Sequence, residues 1–99
     1  AFFFFFCNFI GSETVAKGSL SFAYVSPAEL FRKALLKNAV MIVILHNHPS
    51  GDPTPSREDL ELTQQIARGA QLLGITLADH IVIGDNRYYS FRENHRLET

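Results

Sequence analysis

The sequence predicts an α/β domain, with a mixed β-sheet and helices packed on it. Residues 26–29 read Ser-Pro-Ala-Glu, which is typical of a helix start: serine caps, proline takes the first helical position and glutamate the third. Residues 40–45 are six consecutive apolar residues rich in β-branched types, as in a central strand covered on both faces. A second helix is predicted from Ser56 to about Leu73, ending at Gly74. Helices that alternate with strands favour a mixed sheet.

Further strands and one loop complete the predicted organisation. The first helix is expected to end near Asn38. Residues 49–55 hold three of the four prolines and are predicted to be a loop. The remaining strands are predicted at residues 2–10 with a kink near Asn8, 13–17 closed by Gly18, 20–25, 75–84 broken by the polar pair Asp79-His80, and 88–91.

Composition and charge exclude several classes of protein. The chain has 99 residues, of which 46% are hydrophobic, so we expect one globular domain and not a disordered segment. Its net charge is −1, so the chain has no excess of positive charge to bind a phosphate backbone, and direct nucleic-acid binding is not expected. The apolar N-terminal run is too short to cross a bilayer. Cys7 is the single cysteine, so no internal disulfide forms and nothing indicates an oxidising compartment.

The N-terminal run leads to two expectations about the whole protein. The chain does not begin with Met and opens abruptly on the phenylalanines of residues 2–6. We therefore interpret it as a single domain that was cut from a longer protein or that has a processed start. An apolar N-terminal strand at the edge of the sheet would also invite pairing and so permit a homodimer, although the sequence does not fix the oligomeric state.

Three residues point to a metal site at the end of the predicted central strand. His46 and His48 are two apart, so in an extended chain both imidazoles face the same side and can reach one ion. Asp59 precedes Leu62 by three residues and Ile66 by seven, which places it on the inward stripe of the second helix. A carboxylate there is costly unless it is paired or binds metal. Two histidines and one carboxylate make a three-ligand zinc site that leaves a position for water.

Alternatives stay open for two of these features. Ser56 and Asp59 also form a capping pattern at a helix start, and a lone His-x-His pair is more often structural or incidental. The proline-rich loop between the two segments and the inward position of Asp59 together favour the metal.

The pair Asp79-His80 also has more than one interpretation. It either supports the metal site or contacts a substrate, or else it is a buried pair that holds strand and helix together.

The spacing His46-x-His48-x7-Ser56-x2-Asp59 matches the JAMM (MPN+) zinc-metallopeptidase signature at every defined position. Residues 46–56, 79–84 and 89–91 closely resemble the RadC-like branch of that family, and the resemblance covers roughly residues 13–93. It implies a JAB/MPN fold similar to that of cytidine deaminases, a Zn²⁺ cofactor and a cytoplasmic location in a bacterium. It also implies that His46, His48 and Asp59 are the zinc ligands and that Ser56 helps to hold the oxyanion.

The family uses an upstream glutamate as general base, and the resemblance matches Glu13 to it. Glu13 is chosen by its place ahead of Gly18 and the capped helix. Glu29 is the other upstream acid, but its position in the capping box gives it a structural role. We therefore predict that Glu13 accepts the proton of the water at the zinc.

These observations predict a zinc metallopeptidase that cleaves a peptide or isopeptide bond in an unidentified substrate. The hypothesis fails if His46→Ala keeps both full zinc content and full activity. The alternative is a non-enzymatic RadC-like module associated with DNA repair or mobile elements, which DNA binding that survives chelation would favour. A zinc deaminase is disfavoured because that chemistry needs H-x-E and P-C-x-x-C, whereas residue 48 is histidine and there is no cysteine pair.

Overall fold

The computed structural model describes residues 2–10, 13–22 and 26–97, with the backbone alone for residues 10 and 13–22. This part of the chain is a small α/β structure, which confirms the predicted fold class. The elements follow in the order β1 (Phe2–Ile10), β2 (Glu13–Phe22), α1 (Pro27–Leu36), β3 (Met41–Asn47), α2 (Arg57–Leu73), β4 (Thr76–Gly84) and β5 (Arg87–Ser90).

The five described strands form one mixed sheet in the order β2-β1-β3-β4-β5. β3 and β4 are parallel and the other neighbours are antiparallel. Because α2 connects two parallel strands, it must begin near the carboxyl end of β3. The predicted metal residues at the end of β3 and in the first turn of α2 are therefore brought to the same edge of the sheet.

The expectation that the N-terminal strand lies at a sheet edge is wrong. β1 pairs with β2 on one side and with β3 on the other, so its backbone hydrogen-bonding groups face strands on both sides. The edges of the described sheet are β2 and β5. A homodimer formed through a free edge of β1 thus has no basis in this topology.

The second and third predicted strands are one strand, β2. Gly18 does not end it, because a bulge absorbs the irregularity: Phe6 pairs with Gly18, Cys7 pairs with Ala16, and Lys17 has no opposite residue. The last residues of the third prediction, 23–25, lie outside the described residues.

The polar pair in the middle of β4 does not break that strand either. Asp79 Oδ1 accepts hydrogen bonds from the backbone N–H groups of His80 and Arg92, at 2.8 and 3.0 Å, and Oδ2 accepts one from the Ser90 hydroxyl at 2.5 Å. The ring of His80 stacks on Phe91 with centroids 4.6 Å apart. Because Asp79 and the backbone N–H of His80 have hydrogen-bond partners, the strand continues through the pair.

Each helix buries one apolar face in a common core with β1 and β3. Phe4, Phe6, Ile42 and Ile44 alternate along their strands and are completely buried, as a sheet face covered by helices requires. The helix residues that join them in this core are Leu30 and Ala34 of α1 and Ile66 and Ala70 of α2. Gly74 ends α2 in the left-handed conformation, at φ 71°, as predicted. No helix of the described residues is long and apolar enough to cross a bilayer.

Candidate metal centre

His46, His48 and Asp59 meet at the carboxyl end of β3. One ligand atom from each residue, a ring nitrogen or a carboxylate oxygen, lies within 4.8 Å of the others. His46 Nδ1 is 3.3 Å from Asp59 Oδ1, and His48 Nε2 is 3.0 Å from Asp59 Oδ2. The rings of His46 and His48 are nearly perpendicular, with centroids 4.7 Å apart. The two nitrogens thus approach one carboxylate from different directions, as ligands of a single ion do.

Asp59 is positioned for both functions that the sequence left open for it. Its backbone N–H donates to Ser56 Oγ at 3.1 Å, and its Oδ2 accepts from the Ser56 backbone N–H at 2.9 Å, which completes a capping box. The same side chain is only 3% exposed and faces both histidines. Burial raises the pKa of Asp59, but the hydrogen bonds from Ser56 and the charge of His46 outweigh it and hold the pKa below its usual value. The carboxylate is therefore ionised at neutral pH.

His46 presents a ring nitrogen that has no hydrogen bond. Its Nδ1 is buried and lacks a hydrogen-bonding partner among the described residues, because the 3.3 Å approach to Asp59 Oδ1 does not have hydrogen-bond geometry. Burial lowers the pKa of His46 below 6.5, partly offset by Asp59, so the ring is neutral at pH 7. Phe2 stacks on the ring at 3.8 Å between centroids and fixes its plane.

His48 is held in the tautomer that a metal ligand needs. Its Nδ1 lies 2.9 Å from the carbonyl oxygen of Asp52, and a carbonyl oxygen can only accept, so Nδ1 carries the proton. When the ring carries this proton alone, Nε2 directs its lone pair towards Asp59 Oδ2, 3.0 Å away, whereas a second proton on Nε2 would be donated to that oxygen. Two lone pairs at this distance repel each other unless a proton or a metal ion lies between them. Donation by the second ring nitrogen to a backbone carbonyl is the usual support of a histidine that binds metal.

The donor set fits a zinc ion. Two imidazole nitrogens and one carboxylate oxygen are ligands that Zn²⁺ prefers, and three protein ligands leave one position for water. The unpartnered Nδ1 of His46 and the Nε2 of His48 that faces Asp59 Oδ2 both offer a ligand to a cation at the same point. The residues present therefore fit the metal that the sequence predicted.

Ser56 lies at the rim of this group. It is the N-cap of α2 and is exposed, and its Oγ accepts the Asp59 N–H. Because a hydroxyl both accepts and donates, the O–H of Ser56 can still donate to a carbonyl oxygen of a bound molecule.

The loop of residues 49–55, which carries the Asp52 carbonyl, packs against the end of β4. The Gly51 carbonyl accepts hydrogen bonds from the backbone N–H of Asp85 at 2.9 Å and from the Arg87 guanidinium at 3.3 Å. A Cβ at Gly84 would collide with this carbonyl, so the close approach requires glycine. Gly51 itself has φ 84°, which glycine adopts without strain. The two glycines thus bring the loop close enough to hold the His48 ring.

Below the ligands, Asp79 and His80 have separate roles. Asp79 hydrogen-bonds to Ser90, the last residue of β5, and to Arg92 beyond it, which is a structural role. His80 is fully buried, and its Nδ1 lies 2.7 Å from Thr63 Oγ1, which in turn donates to the Asp59 carbonyl at 2.7 Å. Thr63 was not identified from the sequence. Its position four residues after Asp59, on the same inward stripe, is the pattern that identifies it.

Comparison with known proteins agrees with this geometry. The family profile of the RadC-like JAB domain matches residues 7–97, which is nearly the whole chain. The chain belongs to the RadC-like JAB domain family. The RadC-like JAB family therefore accounts for both the fold and the position of the His-His-Asp group.

Curated relatives of this RadC-like JAB domain are longer proteins. A UPF0758 protein of Desulfitobacterium hafniense is 49% identical over 84 residues, which are 85% of this chain and 37% of the relative. UPF0758 proteins of Clostridium beijerinckii and Bacillus licheniformis are 50% and 51% identical over 84 residues, again 85% of this chain, and 37% and 38% of the relatives. The chain thus spans little more than a third of the relatives it matches. JAB domains include hydrolases, and the His-His-Asp group of this one can hold a metal ion.

The strand register separates Glu13 from the ligands of this RadC-like JAB domain. Glu13 pairs with Ile10, whereas Phe2, at the other end of β1, pairs with His46. At about 3.3 Å per residue, the eight steps from Phe2 to Ile10 correspond to about 26 Å. The side chain of Glu13 lies outside the described residues, but its backbone stands at the end of the hairpin away from the site. The prediction of Glu13 as general base is therefore corrected: a base from this hairpin has to stand at the end where Phe2 pairs with Phe22.

Proposed function

We propose that this domain is a zinc-dependent hydrolase that cleaves amide or isopeptide bonds. The observation that carries the proposal is the donor set, in which two histidine nitrogens and a carboxylate oxygen meet within 4.8 Å. Membership of the RadC-like JAB family, which includes hydrolases, supports the reaction class. The metal's identity follows from the preference of Zn²⁺ for this mixture of ligands.

Each residue of the site would have a distinct role in hydrolysis. His46, His48 and Asp59 would hold the ion, and bound zinc would supply a Lewis acid and lower the pKa of a coordinated water to about 7. Asp52 would keep His48 in place through the 2.9 Å hydrogen bond from Nδ1 to its carbonyl oxygen. Ser56 would donate its hydroxyl hydrogen bond to the oxygen of the amide that is cleaved, where negative charge develops.

The site is open enough to admit an extended chain as substrate. Ser56 is exposed, and His46 and His48 are only partly buried, so the ligand group opens to solvent at the rim of the sheet. A peptide or a lysine-linked isopeptide can approach such a rim without any rearrangement of the core.

The test uses Asp59→Asn with Glu58→Gln as its matched control. Glu58 is an exposed acid in the same turn of α2, so the control removes the same charge next to the site without touching the ligand group. Each protein is loaded with Zn²⁺, passed through a desalting column and analysed for metal content. Hydrolysis is followed with fluorescence-quenched peptides that contain either an α-amide or a lysine ε-isopeptide bond.

We expect about one zinc per chain in the unmodified protein and in Glu58→Gln, and loss of zinc in Asp59→Asn. Hydrolysis should disappear with the metal and return when a chelated sample is given zinc again. Equal zinc content in both variants would overturn the metal assignment. Full zinc content with no hydrolysis of either peptide class would instead favour a non-enzymatic metal-binding module.

A further inference from the structure

A chain of two hydrogen bonds connects the backbone of Asp59 to strand β4. The Asp59 carbonyl lies 2.7 Å from Thr63 Oγ1, and Thr63 Oγ1 lies 2.7 Å from His80 Nδ1. These residues are among the most buried polar residues described, with exposures of 3% for Asp59, 2% for Thr63 and 0% for His80. Hydrogen bonds in such an environment are costly to break, because the freed groups cannot turn to water.

The direction of each hydrogen bond follows from the chemistry of the groups. The Asp59 carbonyl can only accept, so the Thr63 hydroxyl must donate to it. The hydroxyl then offers only lone pairs to His80, so His80 Nδ1 must carry the ring proton. His80 Nε2 is then the unprotonated nitrogen, and it is buried with no hydrogen-bond partner in the described part of the chain.

His80, at the end of this pair of hydrogen bonds, is itself held in place. Its ring is parallel to that of Phe91, with an interplanar angle of 2°, and its backbone N–H is held by Asp79. It pairs with Ile44 of β3, two residues before His46 on the strand that supplies the histidine ligands. The helix that carries Asp59 is therefore connected to the part of the sheet that carries His46.

The bond from Thr63 to its helix partner is not enough by itself. A threonine hydroxyl that bonds to the carbonyl four residues earlier is a common local arrangement, and it does not fix a helix on a sheet. The His80 hydrogen bond converts it into a tertiary connection, because it joins α2 to β4 directly below the ligand group.

We propose that Thr63 and His80 are positioning residues that keep the Asp59 carboxylate within reach of His46 and His48. The inference builds on the proposed metal site, and it adds a reason why the first turn of α2 stays at the ligand distance. Residues that orient metal ligands through hydrogen bonds typically change metal affinity by about 10–100-fold when they are removed.

The experiment compares Thr63→Val, which loses the hydroxyl but keeps the shape, with Thr63→Ser, which keeps the hydroxyl. Thr76→Val is the matched control, because Thr76 is exposed at the start of β4. Zinc affinity is measured by competition with a chromophoric chelator. The visible absorption spectrum of the Co²⁺-loaded protein reports ligand geometry, which a loss of overall stability does not alter.

We expect zinc affinity to fall about 10–100-fold in Thr63→Val and to be unchanged in Thr76→Val. Thr63→Ser should bind zinc nearly as well as the unmodified protein, and only Thr63→Val should change the Co²⁺ spectrum. His80→Phe should weaken zinc binding similarly, and the double variant should be little worse than either single one, because both remove the same connection. Unchanged affinity in Thr63→Val, or equal loss in Thr63→Ser, would overturn the proposal.

A second readout does not depend on metal and separates this inference from the proposed function. The Ser56 backbone N–H donates to Asp59 Oδ2, so its hydrogen exchange in the metal-free protein reports whether Asp59 is in place. Faster exchange at Ser56 in Thr63→Val but not in Thr63→Ser would support the positioning role even if the unmodified protein binds no zinc. Equal exchange in all three proteins would contradict it.

Discussion

Oδ2 of Asp59 accepts the backbone N–H of Ser56 at 2.9 Å, so the carboxylate that caps helix α2 is the one that faces the histidines. The capping box orients the carboxylate before any ion arrives, because both of its hydrogen bonds form within the protein. A site prepared in this way does not have to order its acidic ligand when metal binds. The helix start and the metal centre are thus one structural unit.

Ser56→Gly is expected to separate the two roles of the N-cap. Glycine is nearly as good a cap as serine, so the free energy of unfolding should fall by only a few tenths of a kcal/mol. The hydroxyl is lost, and kcat for peptide hydrolysis should fall about 100-fold or more if it stabilises the oxyanion. Zinc content should be unchanged, and Ser56→Thr should recover most of the activity. Full activity in Ser56→Gly would limit Ser56 to a capping role.

Glu13→Gln is expected to leave zinc content and hydrolysis unchanged. The register places Glu13 opposite Ile10, at the end of β1 away from the position that pairs with His46. A general base must reach the reacting proton directly or through one water, which this separation does not allow. Metal analysis and peptide cleavage by the purified variant provide the measurement. A fall in kcat of several orders of magnitude with zinc retained would show that the hairpin register differs from the one described.

Gly84→Ala is expected to weaken zinc binding from outside the ligand group. The added methyl collides with the Gly51 carbonyl, and the loop that must move also carries the Asp52 carbonyl that holds His48. We expect about 1–3 kcal/mol less stability and about 10–100-fold lower zinc affinity. Urea unfolding and chelator competition measure the two effects.

Gly74→Ala is the control for that experiment. Gly74 has φ 71° but no atoms near the position of its Cβ, so the substitution strains the end of α2 without a collision. It should cost about 1–2 kcal/mol and leave zinc affinity unchanged. If both variants lose the same affinity, then stability alone explains the effect of Gly84→Ala.

The metal-free protein should lose stability as the pH falls from about 6.5 to about 4. Burial lowers the pKa of His80 from 6.5 to about 4 in the folded protein. In this window the unfolded chain binds the proton and the folded protein does not, so unfolding becomes more favourable as the pH falls. At about 1.4 kcal/mol per pH unit, the full effect is about 3 kcal/mol. Urea unfolding in the presence of a chelator measures it.

His80→Phe provides the control for the pH dependence, because phenylalanine keeps an aromatic ring and does not titrate. This variant should lose most of the slope of stability against pH. A smaller slope of the same sign should persist, since the pKa of His46 is also lowered by burial. If His80→Phe has the slope of the unmodified protein, His80 is not the group that titrates.

Local pattern was sufficient for the parts of the site that depend on one element. The two-residue spacing of His46 and His48 gives them a common side at the end of β3, since side chains alternate along a strand. The spacing of Asp59 from Ile66 places it on the inward face of α2, where it is 3% exposed. The helix caps at Ser26, Ser56 and Gly74 were likewise predicted from the residues that form them.

Strand register and the contacts between helices and the sheet decided the remaining features of the fold and the site. The sequence by itself determined the α/β class, the His-x-His pair and the inward acid, because periodicity and capping act over a few neighbouring residues. Only the tertiary structure placed Glu13 at the wrong end of the hairpin, put β1 inside the sheet and joined Thr63 to His80. Strand register and contacts between a helix and a sheet depend on residues far apart in the chain, and no local pattern specifies which of the polar residues will meet.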